Sequence, residues 1–209
     1  MSQYFTIHSV NPQPRLIREA AGIVRGGGVV AYPTDSCYGL GCHIGDKSAL
    51  ERLRLIRGVD DTHQLTLMCR NLAEIGEFAL VDNAHFRLLK SVTPGSYTFI
   101  LKATREVPRR LLHPKRKTIG IRVPDHAIAH ALLAELYEPL LSATLIPPGN
   151  TLPLADAQEI RDLMGRQLDL IIDGGHCGIE PTTIIDLTGD EPQLIRRGRG
   201  AVAPFGFPG

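Results

Sequence analysis

The sequence predicts an α/β fold in which one mixed sheet is covered by helices within a single domain. Strand-like and helix-like apolar patterns occur along all 209 residues, and several strand-like segments follow one another with no helix between them. In a simple series of βαβ units, a helix would separate each strand from the next. We therefore expect both parallel and antiparallel strand pairs. The loop "IPPGNTLP", residues 146–153, has these signals on both sides, so residues 1–209 are predicted to form one domain.

The chain begins with a strand, a helix and a second strand. "YFTIHSV", residues 4–10, alternates apolar and polar side chains, which favours a strand. "PRLIREAAGIVRGGG", residues 14–28, has apolar residues at helical spacing and ends in glycines, which stop a helix. "GVVAYP", residues 28–33, indicates a short buried strand closed by a proline. Asp46 is a capping-type residue, so a helix is predicted from there to Gly58.

The remaining elements follow the same two patterns. Strands are predicted at residues 65–69, 96–104, 118–124, 139–145, 168–175, 182–187 and 193–198. Helices are predicted at residues 71–79, 82–92, 125–136 and 155–165. Asp125 is expected to open the third of these helices.

Composition argues against several classes of protein. The chain has no run of about 18 apolar residues, so no membrane partner is expected. "MSQYFTIHSV" lacks the pattern of a secretory signal, so the expected location is the cytoplasm. The four cysteines form no C-x-x-C pair and are predicted to be free thiols.

Standard catalytic motifs are missing as well. The sequence has no G-x-x-x-x-G-K-[ST], H-E-x-x-H or G-x-S-x-G motif. The glycine run at 26–28 precedes a strand, whereas a dinucleotide fingerprint follows one. The eight histidines are scattered, and His63 is interpreted as a surface or loop residue. No metal site is predicted.

Polar side chains instead collect at strand ends. "AYPTDSCYGLGC", residues 31–42, sets small hydroxyl groups in a loop directly after a strand, which suggests that the loop holds a ligand. Ser142 and Thr144 should share one side of their strand because strand side chains alternate. Arg122 lies within an apolar strand, where an arginine either lines a cavity or meets a carboxylate. Hydroxyl and guanidinium groups converging at strand ends would suit an anion such as a nucleotide.

A basic run lies between two of the predicted strands. "TREVPRRLLHPKRK", residues 104–117, has six Lys or Arg and one Glu, in a chain whose net charge is only +1. Such a run either binds phosphates or is a solvated loop. An RNA-binding role would fall on Arg109, Arg110, Lys115, Arg116 and Lys117. No aromatic RNA-stacking platform occurs, so RNA contact would depend on shape.

The order of several motifs resembles a known family. The segments are "GGVVAYPTDSCYGLGC", "LRLIRG", "TPGSYTFIL", "TIGIRVPDH", "LLSATL", "PTTIIDL" and "LIRRG". Together they resemble the YrdC-like family of threonylcarbamoyl adenylate synthases, in particular its YciO branch, over residues 14–200. The resemblance implies a twisted α/β sheet around a large basic cavity. It also implies synthesis of threonylcarbamoyl adenylate from L-threonine, bicarbonate and ATP, with Mg²⁺ accompanying ATP as substrate. The product serves tRNA modification, and family members also bind double-stranded RNA.

The resemblance also implies roles for individual residues. The residues implied to bind the amino acid are Thr34, Ser36, Tyr38, Thr182 and Thr183. The residues implied to bind the nucleotide are Arg57, Arg122, Ser142, Thr144 and Arg196. Arg57 and Arg122 are also the catalytic candidates. Gly39 and Gly41 would let the backbone approach the ligand.

Four positions depart from the family's pattern. Arg57 replaces the lysine of K-x-R and Val59 its arginine, Thr144 replaces the asparagine of S-x-N, and Arg197 replaces a proline. Loss of a phosphate clamp can reduce a rate by about a thousandfold, so weak or altered synthase activity is expected. Asp60 and Asp61 would further repel a triphosphate. An RNA-binding protein without synthase activity, or a relic cavity with a regulatory ligand, remain the alternatives.

Overall fold

The predicted strands join into one mixed sheet with helices on both faces. The computed structural model describes residues 2–113 and 115–208. In this part of the chain the helices are α1 (Pro14–Arg25), α2 (Lys47–Arg57), α3 (Leu72–Phe78), α4 (Asn83–Val92), α5 (Ala127–Leu136) and α6 (Ala157–Met164). The strands are β1 (Gln3–Thr6), β2 (Val30–Tyr32), β3 (Gly39–His43), β4 (Thr66–Met68), β5 (Ala79–Leu80), β6 (Tyr97–Ala103), β7 (Thr118–Arg122), β8 (Leu140–Thr144), β9 (Leu170–Asp173), β10 (Thr183–Asp186) and β11 (Gln193–Arg196).

The sheet mixes both kinds of strand pairing. Its order is β1-β9-β2-β3-β8-β4-β7-β6-β10-β11, and β5 pairs with β6 outside this path. The β4–β7 and β6–β10 pairs are parallel, whereas β3–β8, β4–β8 and β6–β7 are antiparallel. The mixed α/β fold predicted from the sequence is confirmed.

Capping residues fix most helix ends. Asp46 caps α2 by accepting a hydrogen bond from the backbone nitrogen of Ala49, and the helix ends at Gly58 with φ +67°. Asp125 does not cap α5, contrary to the sequence prediction. His126 occupies that N-cap position and makes no side-chain cap bond.

Strand β3 was missed because its glycines and small residues resemble a loop. It pairs with β2 on one side and with β8 on the other, so its backbone groups are satisfied by the sheet. A Cβ atom at Gly41 would lie 2.6 Å from Leu140 Cδ2 and 2.9 Å from Tyr32 Cε1. Close packing within the sheet therefore requires a glycine at this point.

The two faces of the sheet carry different layers. One face packs α1 and α5 against β2, β9 and neighbouring side chains, including Met68 and Leu140. The other face holds a larger apolar cluster with α2 and α6. The helices α1 and α5 cover only one end of their face. The part formed by β8, β4, β7, β6 and β10 remains available for a cavity.

Candidate active site

A cavity of about 380 Å³ opens on the sheet face that α1 and α5 leave uncovered. The pairing register brings its floor together, because Thr66 lies opposite Ser142, and Met68 lies opposite Arg122. Thr98 on β6 continues the same face, opposite Ile184 of β10. Loops at the strand ends complete the wall. The candidate residues in the lining are Thr34, Ser36, Tyr38, Arg57, Arg122, Ser142, Thr144, Thr182 and Arg196.

The charged lining of the described residues consists of arginines. Arg57, Arg122 and Arg196 border the cavity, and His63 lies beside them. The lining includes no Asp or Glu among residues 2–113 and 115–208. An anion is the ligand that such a wall favours.

Arg122 both lines the cavity and meets a carboxylate. Its Nη2 donates to Asp35 Oδ1 at 2.5 Å and to Thr34 Oγ1 at 3.3 Å. The other carboxylate oxygen of Asp35 accepts a hydrogen bond from Ser96 Oγ at 2.6 Å, and the backbone nitrogen of Asp125 also donates to Oδ1. These partners hold the Arg122 guanidinium in one orientation, while its buried Nε has no partner.

Asp35 orients Arg122 and was not among the residues predicted from the sequence. Burial alone would raise the pKa of its carboxyl group, but the Arg122 guanidinium and the Ser96 hydroxyl outweigh burial and hold the pKa below its usual value. Asp35 is therefore ionised at neutral pH and neutralises one of the three arginines. A signal was present, because a buried arginine requires either a cavity or a carboxylate.

Arg57 lies at the end of α2, and not all of its hydrogen-bond donors have a partner. Its Nη1 donates to the carbonyl oxygen of Ile146 at 3.1 Å, and its buried Nε has no partner. Burial lowers the pKa of Arg57, and burial together with the Arg57 charge lowers that of His63. The side-chain nitrogen of Gln64 lines the same wall, also without a partner. Buried donors of this kind need an acceptor, which water or a ligand can supply after a small side-chain movement.

Arg196 borders the cavity from β11. Its Nε and Nη2 both donate to the carbonyl oxygen of Thr182, at 3.3 and 2.8 Å. Burial lowers the pKa of this guanidinium, although more than a third of the residue is exposed. Thr182 is joined in turn to Thr98, with 2.9 Å between the two hydroxyl oxygens.

Thr183 does not line the cavity, so the structure does not bring it together with the other candidates. Its hydroxyl donates to the carbonyl oxygen of Gly200 and accepts from the backbone nitrogen of Gly198. Neighbouring strand residues point to opposite faces, so only one member of the Thr182–Thr183 pair can line the cavity. Thr183 instead anchors the segment that follows β11.

The loop after β2 is ordered by its own hydroxyl groups. Thr34 Oγ1 donates to the carbonyl oxygen of Cys37 at 2.6 Å and lies 3.2 Å from Ser36 Oγ. Tyr38 donates its phenolic hydrogen to the carbonyl oxygen of Gly175 at 2.8 Å, and burial raises its pKa. These contacts fix the loop wall of the cavity.

Ser142 and the glycines of β3 form a second packed group. Ser142 Oγ donates to the carbonyl oxygen of Leu40 at 3.0 Å and lies 2.6 Å from the hydroxyl of Tyr32. Burial raises the pKa of Tyr32 to about 12. A Cβ atom at Gly39 would lie 3.1 Å from the Tyr32 ring. The glycines therefore make room for this tyrosine and for Leu140, in addition to any ligand.

The residues flanking the altered motifs lie outside the lining. Val59, Asp60 and Asp61 follow α2, and Asp60 Oδ1 accepts from the backbone and the hydroxyl of Thr62. Arg197 donates to the carbonyl oxygen of Pro208. The expected repulsion of a triphosphate by Asp60 and Asp61 is thus weakened by their exposure to solvent.

The basic run forms an exposed connection between β6 and β7, called here the basic hairpin (residues 104–113 and 115–117). The exposed candidates are Arg109, Arg110, Lys115, Arg116 and Lys117. Arg110 donates to the carbonyl oxygens of Ile44 and Gly45, and Arg116 lies 3.7 Å from Asp186. The hairpin leaves the end of β6 and enters the start of β7, whereas the cavity uses Thr98 and Arg122 at their other ends. The two basic regions are therefore separate.

Comparison with known proteins assigns the family. The Sua5/YciO/YrdC family model, described as "Telomere recombination", matches residues 22–198. The chain belongs to this family. It is 58% identical over 205 residues to YciO of Escherichia coli (strain K12), covering 98% of this chain and 100% of YciO. It is 34% identical to the threonylcarbamoyl-AMP synthase of Nitrosococcus oceani, covering 76% of this chain and 85% of the synthase.

Solved structures of the family share the architecture. The crystal structure of E. coli YciO superposes with a TM-score of 0.95 at 57% identity, covering 98% of this chain and all of YciO. P. abyssi Sua5 complexed with L-threonine gives a TM-score of 0.87 at 28% identity, over 94% of this chain and 58% of Sua5. Both the family and the fold predicted from the sequence are confirmed. In the described part of the chain, no helix has the length and apolar character that crossing a membrane demands.

Proposed function

We propose that the cavity binds a nucleotide together with an amino acid, and that the protein is a weak or altered relative of the threonylcarbamoyl-AMP synthases. One observation carries the proposal. Arg57, Arg122 and Arg196 come from α2, β7 and β11, yet all border one cavity that also collects the hydroxyl groups of Thr34, Ser36 and Thr182. Family relatives named as threonylcarbamoyl-AMP synthases, and a Sua5 structure with L-threonine, support the choice of ligands.

The reaction proposed for this cavity needs positioning rather than a covalent enzyme intermediate. A carbamate oxygen attacks the α-phosphorus of ATP, and pyrophosphate leaves. The three guanidinium groups would stabilise charge on the phosphates. Mg²⁺ prefers oxygen ligands such as carboxylates, and the lining drawn from the described residues includes no carboxylate. A magnesium ion that enters with ATP would therefore be held by phosphate oxygens and water.

The direct test is pyrophosphate release from ATP with L-threonine and bicarbonate present. Release above a blank without threonine, at enzyme concentrations near those of substrate, is the expected result. Release no greater than the blank would rule out synthase activity. The double variant Val59→Arg with Thr144→Asn restores the family's residues and should raise the rate. Arg109→Gln, in the basic hairpin, serves as a matched control and should leave the rate unchanged.

RNA binding is a second candidate function, which the basic hairpin supports. Six exposed Lys and Arg side chains, Arg105 and the five candidates, lie on one connection, away from the cavity. Binding through phosphates predicts that affinity for double-stranded RNA falls steeply with salt. Replacing Lys115, Arg116 and Lys117 by Gln should weaken a gel shift without affecting nucleotide binding. The absence of any shift at low salt would contradict this candidate.

A further inference from the structure

The net positive charge available inside the cavity is small. Three arginines line it, but Asp35 forms an ion pair with Arg122, and the lining drawn from residues 2–113 and 115–208 adds no acidic group. About two positive charges therefore remain, on Arg57 and Arg196. Each guanidinium stays protonated at neutral pH.

We propose that this cavity prefers a nucleoside monophosphate, either free or as part of an acyl adenylate, over a nucleoside triphosphate. The preference rests on the nucleotide-binding function proposed above and specifies its ligand. A phosphate monoester carries between about 1.5 and 2 negative charges near pH 7, which the two arginines can balance. Every further phosphate adds negative charge that must lose its water without a partner, and such burial is costly.

Among residues 2–113 and 115–208, no further Lys or Arg lines the cavity to balance a longer phosphate chain. His63 lines the wall beside Arg57, but burial and that arginine disfavour its protonated form. Arg197 is exposed and lies outside the lining, where solvent screens its charge. Arg199 is also exposed and outside the lining, and its charge is the smallest of the influences on the pKa of the wall residue Cys37. The position after Arg57 where a second cation would lie in a K-x-R motif is the neutral Val59.

The neutral part of the lining suits the rest of a nucleotide. Its apolar side chains are Ile146, Leu152, Pro153, Ile179, Pro181 and Ile184. These surfaces can pack against a base, while the guanidinium groups of Arg57 and Arg196 on the cavity wall can donate to phosphate or ribose oxygens. The volume of about 380 Å³ is near the lower end for small-molecule sites, which again favours a short phosphate chain.

Isothermal titration with AMP, ADP and ATP, first without Mg²⁺ and then with it, tests the preference. We expect affinity to fall in that order without Mg²⁺, with AMP about tenfold tighter than ATP. Mg²⁺ should reduce the difference between the AMP and ATP affinities, because it neutralises part of the ATP charge. ATP binding as tightly as AMP in the absence of Mg²⁺ would overturn the preference alone. Failure of all three nucleotides to bind would overturn the proposed function as well.

Adding one charge to the wall tests the electrostatic cause. Gln64→Lys places an ammonium group where the unpartnered amide nitrogen lies, and it should reduce the AMP-to-ATP affinity ratio about tenfold. Gln64→Met, which is similar in size and uncharged, should leave that ratio unchanged. Thr144→Lys adds the same charge on β8 and provides a second placement should Gln64→Lys fail to fold. An unchanged ratio in a folded lysine variant would overturn the proposal.

Discussion

The cavity and the basic hairpin hold the same kinds of side chain in opposite settings. Arg57 is half-buried with an unsatisfied nitrogen, and Arg122 is fixed by Asp35. In the hairpin, Arg109 is exposed, and Arg110 contacts backbone carbonyl groups at the surface. A run of basic residues in a sequence therefore locates charge without locating a binding site. Burial, fixed orientation and the scarcity of nearby carboxylates distinguish the cavity.

The largest effect separating the two regions should come from breaking the buried ion pair. Arg122→Met leaves the Asp35 carboxylate buried and uncompensated, so the free energy of unfolding should fall by about 3–5 kcal/mol. The matched hairpin variant Arg109→Met should change it by about 0.5 kcal/mol or less. Urea unfolding measures both, and equal losses would contradict the distinction.

The double variant Arg122→Met with Asp35→Asn supplies the control for that prediction. It removes both charges together, so it should recover part of the stability lost by Arg122→Met alone. A double variant less stable than Arg122→Met would show that the carboxylate has another stabilising partner.

Removing the two free cavity charges should have the next largest effect. Arg57→Gln with Arg196→Gln should weaken AMP binding about a thousandfold, since each charge-assisted hydrogen bond contributes about 1.5–3 kcal/mol. Neutralising the same number of charges in the hairpin, with Arg109→Gln and Lys115→Gln, should change AMP affinity by about twofold or less. Titration calorimetry measures the AMP affinity of both double variants. Similar losses of affinity in the two would contradict a binding site in the cavity.

Lowering the pH should reduce the stability that the Asp35–Arg122 ion pair beside the cavity contributes. The basic hairpin should contribute nothing to this pH dependence. The pKa of Asp35 is lower in the folded protein than its ordinary value of 3.8. Its contribution to stability is thus complete above that value and is lost as the pH falls below 3.8 and through the lowered folded pKa. Urea unfolding from pH 6 to pH 3 should show a decline that Asp35→Asn lacks. An identical pH dependence in the variant would contradict this role.

The smallest predicted effect concerns the apolar rim. Leu152 lines the cavity and is 58% exposed, and Leu163 on α6 has the same exposure outside the cavity. Leu152→Ala should weaken AMP binding about threefold, because it removes apolar surface that would pack on the base. Leu163→Ala should not alter it. A larger loss in the Leu163 variant would disprove the assignment of this wall to the base.

The sequence predicted most elements and the arginines of the lining because their signals are local. The alternation of side chains along a strand predicted that Ser142 and Thr144 lie on the same side of β8. The order of the motifs predicted that distant segments line one cavity. Two features depend on pairing that no local pattern reveals. Strand β3 exists because β2 and β8 satisfy its backbone, and Asp35 acquires its role only where Arg122 and Ser96 meet it. Thr183 lies outside the lining, and its hydroxyl group instead bonds the backbone of Gly198 and Gly200.

A crystal structure grown with AMP tests the central claim most directly, namely that distant segments of the chain build one nucleotide cavity. We predict a phosphate within hydrogen-bond reach of Arg57 or Arg196, with the base against the wall that includes Leu152. A phosphate held at the basic hairpin, with the cavity filled only by water, would contradict the account.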